Sequence, residues 1–86
     1  MLSRLKPNSQ ILPHKDCGYS AKASHKIHIP IKTSNKCDFI VNNTIYNLKK
    51  GIAYEVNNMD IHSVNNKDNE HRIHLIFEYC SYNVLQ

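Results

Sequence analysis

The chain has 86 residues, a formal net charge of +4 and three widely separated cysteines. A chain of this length forms one domain at most. The odd number of cysteines argues against a disulfide framework and against a cysteine-rich zinc module, and it favours reduced thiols in the cytoplasm. We expect neither a signal peptide nor a membrane span, because no apolar run is long enough.

The basic residues are scattered singly along the sequence, apart from the pair Lys49 and Lys50. They form no basic helix and do not alternate regularly with aromatic residues. This pattern is typical of a solvated surface rather than of a nucleic-acid interface. The net positive charge is still compatible with an attraction for small anions.

Apolar and polar residues alternate with a period of two in almost every segment, which predicts strands rather than helices. Asn42 and Asn43 predict a hairpin turn, because asparagine tolerates left-handed backbone. The polar residues 65–70 predict a loop. About eight short strands without a helical period predict an all-β sandwich or barrel. The predicted strands cover 1–6, 26–31, 38–41, 44–48, 53–56, 61–64 and 72–79, with a short apolar pair at 11–12.

Two of the predicted strands carry one polar and one apolar face. Lys26, His28 and Pro30 share a face of the first, and Arg72 and His74 share a face of the last. Two such polar faces would line a cleft. Because the sequence has no amphipathic helix, we expect the apolar faces to lie at a contact between identical subunits or to form an exposed patch. Their residues are Ile27, Ile29, Ile31, Ile73, Leu75 and Phe77.

Six histidines are many for a chain of this length. His14 and Asp16 stand two residues apart, so both side chains point to the same side of an extended segment. His62, on a later predicted strand, completes a His-x-Asp…His set. Two histidines and one carboxylate form the facial triad of non-heme Fe(II) sites, which leaves positions open for substrate and dioxygen.

Several segments resemble, in the same order, the aspartyl/asparaginyl β-hydroxylase family of Fe(II)/2-oxoglutarate-dependent dioxygenases, which includes free-proline hydroxylases. The resemblance extends over residues 3–79, and its most specific part runs from His62 through Arg72 to the apolar residues that follow. The matching segments are 14–16, 25–31, 51–57, 62–66 and 72–77.

The resemblance implies a double-stranded β-helix, a cupin-like jelly roll with little or no helix. Residues 1–86 would form a single oxygenase core without the N-terminal helical region of longer relatives. By the same resemblance, His14, Asp16 and His62 hold Fe(II). The competing interpretation places His14 and Asp16 in a solvated loop.

The resemblance also implies a co-substrate site for 2-oxoglutarate. Arg72 would pair with the far carboxylate, because a planar guanidinium donates two parallel hydrogen bonds. His28 and His74 would lie near the co-substrate, although a packed structural role competes for both. Lys26 stands where the family usually has arginine. A lysine keeps the positive charge but lacks the planar guanidinium that donates two parallel hydrogen bonds. A surface salt bridge with Glu70 or Asp68 is the alternative for Arg72.

The implied activity is hydroxylation of an amino acid, with dioxygen consumed and succinate and carbon dioxide released. The substrate would be a free amino acid such as proline, or an Asp, Asn or Pro residue in a peptide. One alternative is a cupin-like metal or small-molecule binding module without oxygenase activity. A basic nucleic-acid-binding β-domain is the other, and it would show strongly salt-dependent binding.

Overall fold

The computed structural model describes residues 1–15, 24–57 and 60–80. The described residues form eight strands and no helix, so the described part of the chain contains no helix that could cross a membrane. In chain order the strands are β1 (Leu2–Leu5), β2 (Ser9–His14), β3 (Ser24–Lys32), β4 (Cys37–Val41), β5 (Thr44–Tyr46), β6 (Tyr54–Val56), β7 (His62–Asn66) and β8 (Arg72–Cys80).

The strands form two antiparallel four-stranded sheets that pack as a sandwich. One sheet has the order β1-β8-β3-β6 and the other the order β2-β7-β4-β5. The longest pairing joins β3 to β8, with Ile27 opposite Phe77 and Ile29 opposite Leu75. This arrangement confirms the predicted all-β double-stranded β-helix.

The turn between β4 and β5 has the predicted chemistry. Asn42 and Asn43 adopt φ angles of 47° and 68°, as the two central residues of a type I′ hairpin require. Val41 and Thr44 pair directly across the turn. The twist of this turn matches that of the flanking strands, so two asparagines are sufficient to reverse the chain here.

Most strands begin or end one or two residues from their predicted limits, and two of these differences bear on the site. The strand β2 runs through Pro13 to His14, where only a short apolar pair was predicted. Pro13 is tolerated because β2 is an edge strand that pairs with β7 alone and shifts register between Ile11 and His14. The strand β7 continues to Asn66. The loop therefore begins at Lys67, two residues after its predicted start.

The polar faces of β3 and β8 point into the sandwich. His28, Arg72 and His74 are all buried there. The outer apolar face includes Ile31 and Phe77, which are 43% and 46% exposed. Whether a second subunit covers this face stays a prediction. The buried apolar cluster is correspondingly small and consists of Phe39, Val56 and Val64.

Candidate functional site

His14 and His62 lie side by side where β2 and β7 pair at one end of the sandwich. They are partners in the register of these strands, and their ring centroids are 4.3 Å apart. His62 is buried and His14 is exposed. The fold therefore brings together two of the three predicted iron ligands from segments about fifty residues apart.

Both rings are held in the same way. Nδ1 of His14 lies 2.9 Å from the carbonyl oxygen of Leu12, and Nδ1 of His62 lies 2.8 Å from that of Asp60. A carbonyl oxygen accepts hydrogen bonds only, so Nδ1 carries the proton in each ring. In a neutral imidazole Nε2 then has a free lone pair. Histidines that bind metals are oriented through the second nitrogen in this way.

The third predicted ligand, Asp16, lies outside the described residues. Within the described ranges no group of three His, Cys, Asp or Glu side chains is placed to hold a metal ion. Two neighbouring imidazoles that are both held through Nδ1 nevertheless suit a divalent iron by donor type, because imidazole nitrogen binds this metal well. The histidine half of the triad is compatible with the structure, and the role of Asp16 remains a prediction.

Arg72 begins β8 and is only 2% exposed. In the part of the chain that the structure describes, Nε and Nη1 of its guanidinium are buried and have no hydrogen-bond partner. Burial lowers the pKa of Arg72, and the neighbouring Cys37 opposes that shift. A guanidinium nevertheless stays protonated in proteins. The interior therefore contains a cation with unsatisfied donors, which is costly unless a ligand pairs with it.

The proposed surface salt bridges of Arg72 do not form. Glu70 pairs with Lys32 at 3.4 Å, and Asp68 accepts a hydrogen bond of 2.5 Å from the hydroxyl of Ser34. Both carboxylates thus pair with residues other than Arg72. The burial of Arg72 excludes the salt-bridge interpretation.

Arg72 faces a chamber of about 10 Å³, which is room for about one water molecule. Phe39 and Leu48 form part of its wall. The same two side chains also line a much larger cavity of about 320 Å³. Phe39 and Leu48 thus lie between the Arg72 chamber and the larger space.

His28 and His74 form a buried pair next to this chamber. Their Nδ1 atoms are 3.1 Å apart. Burial lowers the pKa of His74 to about 3, and the charge of Arg72 and the proximity of His28 act in the same direction. His74 is therefore neutral at physiological pH and lines the Arg72 chamber.

Lys26 lies apart from these residues. It is half-buried and lines a separate cavity with Met1, Ile76, Phe77 and Glu78. The structure does not bring it to the Arg72 chamber. Its contact with a co-substrate stays a prediction.

The sequence interpretation missed Asn66, which it assigned to a turn. Asn66 is 0% exposed. Its Nδ2 lies 3.2, 3.1 and 3.0 Å from the carbonyl oxygens of Leu5, Lys6 and Glu70. It therefore joins the end of β1 to the turn that leads into Arg72. The alternation of inward residues from His62 through Val64 to Asn66 was the signal that could have found it.

Comparisons with known proteins agree with this architecture. A family model described as Aspartyl/Asparaginyl beta-hydroxylase matches residues 1–81. The structure resembles the crystal structure of TT1209 from Thermus thermophilus, with a TM-score of 0.68 and 18% identity over 92% of this chain and 69% of that one. At this identity the likeness shows the fold alone. The sequence matches no curated protein.

Proposed function

The chain belongs to the Aspartyl/Asparaginyl beta-hydroxylase family, and we propose that it is an Fe(II)/2-oxoglutarate-dependent dioxygenase that hydroxylates an amino acid. The substrate is a free amino acid such as proline, or an Asp, Asn or Pro residue in a peptide. Succinate and carbon dioxide are the other products. The observation that carries this proposal is the buried guanidinium of Arg72, in which Nε and Nη1 have no hydrogen-bond partner among the described residues.

Arg72 supports the proposal because its chemistry matches one end of 2-oxoglutarate. A carboxylate accepts two parallel hydrogen bonds from a guanidinium. Each such charge-assisted bond contributes about 1.5–3 kcal/mol. A carboxylate ligand on either edge of the guanidinium, Nε with Nη2 or Nη1 with Nη2, would also satisfy one of the two buried donors that the described residues leave without a partner. Arg72 therefore fixes the position of the co-substrate and orients its other end away from β8.

His14 and His62 support the metal part of the proposal. Their Nε2 atoms would bind the iron, while the Leu12 and Asp60 carbonyls hold the rings through Nδ1. Asp16 would supply the carboxylate ligand. Bound iron supplies the oxidation of an unactivated C–H bond by dioxygen, with 2-oxoglutarate as the reductant. The protein contributes the metal ligands and the orientation of the co-substrate.

Entry of the co-substrate requires movement of a side chain. The chamber next to Arg72 has room for about one water molecule, whereas 2-oxoglutarate is several times larger. Phe39 and Leu48 separate this chamber from the larger cavity. Displacement of the Phe39 ring would join the two spaces and open a path to the guanidinium.

Thermal denaturation with added ligand tests the role of Arg72 without requiring turnover. A ligand at 100 times its Kd stabilises the folded chain by about 2.7 kcal/mol. We expect 2-oxoglutarate to raise the Tm and its uncharged dimethyl ester to have no effect. In Arg72→Met the effect of 2-oxoglutarate is lost, while Arg4→Met, at an exposed position on β1, retains it. Equal stabilisation of both variants would overturn the assignment.

An assay of catalytic turnover distinguishes an oxygenase from a binding module without oxygenase activity. With Fe(II), dioxygen and 2-oxoglutarate, we expect succinate release that disappears in His62→Ala. His71→Ala is the matched control, because His71 lies in the loop before β8 and outside the site. Metal binding without succinate release, in the presence of proline and of Asp, Asn and Pro peptides, would favour the cupin-like binding module.

A further inference from the structure

The cavity of about 320 Å³ lies beside the candidate iron ligands. Its volume is at the lower end of the range for small-molecule sites, about 300–1,000 Å³. Val41 and Val56 give it apolar walls, and Tyr46 and Tyr54 add aromatic surface. The volume and the lining suit one small molecule or one amino-acid side chain.

Three residues that line this cavity also support His62. The ring of Phe39 is stacked on that of His62, with an angle of 10° and centroids 6.3 Å apart. The carbonyl oxygen of Asp60 holds Nδ1 of His62 at 2.8 Å. Val41 is the register partner of His62 on β4. A molecule in the cavity would therefore lie about one side chain away from the candidate metal.

Asp60 is the acid that gives the cavity its charge. Glu55 and Asp60 both belong to the lining, and among the described residues that line the cavity none is lysine, arginine or histidine. Glu55 is the register partner of Ile27, so its side chain lies on the outer face of the sheet, where it pairs with a histidine, whereas Asp60 is half-buried. The chamber beyond Phe39, in contrast, contains the guanidinium of Arg72.

This separation of charge assigns the two reactants to different spaces. A dianion is attracted to Arg72 and is repelled by Asp60. A cationic group has the opposite preference. Asp60 thus discourages 2-oxoglutarate from occupying the larger cavity and leaves that space for the molecule to be hydroxylated.

On the basis of the function proposed above, we infer that the cavity between Phe39, Tyr54 and Asp60 binds the substrate and selects an apolar group that carries an ammonium. The apolar carbons contact Val41 and Val56, and the ammonium faces Asp60. An aspartyl side chain is disfavoured, because its carboxylate would approach that of Asp60. Among the proposed substrates, the charge of the cavity therefore favours amino acids that carry a free amino group.

A matched pair of probes tests the inference directly. Cyclopentylamine and cyclopentanecarboxylate have the same ring and opposite charge. Each is titrated into the isotopically labelled full chain and followed by the backbone amide resonances. We expect the amine to shift the amides of Val41, Val56 and Asn57. It should bind about tenfold more tightly than the carboxylate, which corresponds to one charge pair in a half-buried site.

Isosteric variants locate the charge effect. Asp60→Asn should weaken binding of the amine severalfold and leave the spectrum of the folded chain unchanged elsewhere. Glu55→Gln and Glu78→Gln are the matched controls, because the side chain of Glu55 lies on the outer face of its sheet and Glu78 lies on β8 and outside the cavity. Preference for the carboxylate, or shifts that lie away from the cavity, would overturn the inference.

The same samples distinguish this inference from the proposed function. Stabilisation by 2-oxoglutarate is measured on each variant as well. If 2-oxoglutarate stabilises the chain through Arg72 but the amine does not bind in the cavity, the substrate inference fails and the proposed function stands. If neither ligand binds, both fail.

Discussion

The imidazoles of His28 and His74 meet inside the sandwich with their Nδ1 atoms 3.1 Å apart. Two N–H groups cannot bond to each other, so one Nδ1 donates and the other accepts. Both rings belong to the inward faces of β3 and β8, and His74 lies two residues after Arg72. The pair therefore connects the strand that carries Arg72 to its neighbour through a neutral hydrogen bond.

His74 should make stability depend on pH in the acidic range. Its folded pKa is about 3, below the ordinary value of 6.5, so the unfolded chain binds more protons between these values. The stabilisation is complete above about pH 6.5 and is lost as pH falls towards 3. The loss between pH 7 and pH 5 is about 2 kcal/mol. Chemical denaturation at both values should show this loss in the wild type.

His74→Asn removes this titrating group, so the difference in unfolding free energy between the two pH values should be smaller by about the same amount. His71→Asn is the matched control, since His71 is a half-buried histidine of the preceding loop, and it should retain the wild-type dependence. An unchanged dependence in His74→Asn would contradict the assignment.

Asn66→Asp should be strongly destabilising. The Nδ2 group of Asn66 faces three carbonyl oxygens, and its Oδ1 accepts from the amide of Asp68 and the thiol of Cys37. An aspartate would place a buried carboxylate against these carbonyls, and we expect a loss of about 3 kcal/mol or more in unfolding free energy. Urea denaturation measures it. The same change at half-buried Asn65, one residue earlier on β7, should cost less than about 1 kcal/mol.

Phe39→Leu should accelerate binding of 2-oxoglutarate. A smaller side chain leaves the Arg72 chamber and the larger cavity less separated, although the loss of packing costs about 1–2 kcal/mol of stability. Stopped-flow measurement of the association rate gives the comparison. Phe77→Leu, at an exposed position on the outer face, should bind at the wild-type rate. A rate that is the same in both variants would show that Phe39 does not limit entry.

The outer face of β3 and β8 should mediate self-association. Ile31 and Phe77 are both exposed there, and a second copy of the chain would bury them. Sedimentation should show a concentration-dependent oligomer that Ile31→Lys with Phe77→Lys converts to monomer. Ile45→Lys, on the other sheet, should leave the oligomer intact. A monomer at every concentration of the wild type would refute a second copy as the cover.

Much of the fold could be predicted because alternation of apolar and polar residues is a local signal. The alternation predicted β3 and β8, and the two asparagines predicted the turn before β5. The full length of β2 could not be predicted, because Pro13 normally ends a strand and its tolerance depends on β2 being at the edge. Edge position is a property of the assembled sheet and has no local signature.

The candidate site was predictable in its residue types and less so in its geometry. The family resemblance assigned roles to His62 and Arg72, and both residues are buried, while their roles stay predictions. The barrier formed by Phe39 could not be predicted, because it depends on packing between β4 and the histidines of three other strands. The role of Asn66 was hidden for a similar reason, since an asparagine before a polar segment has the composition of a turn.

The central claim is that one chain holds Fe(II) at His14 and His62 and 2-oxoglutarate at Arg72. Anaerobic titration with both, followed by absorbance, tests it most directly. We predict a metal-to-ligand charge-transfer band that requires iron and 2-oxoglutarate together, is lost in His62→Ala and is weakened in Arg72→Met at the same ligand concentration. A folded wild-type chain without this band, or a band that is undiminished in His62→Ala, would contradict the claim.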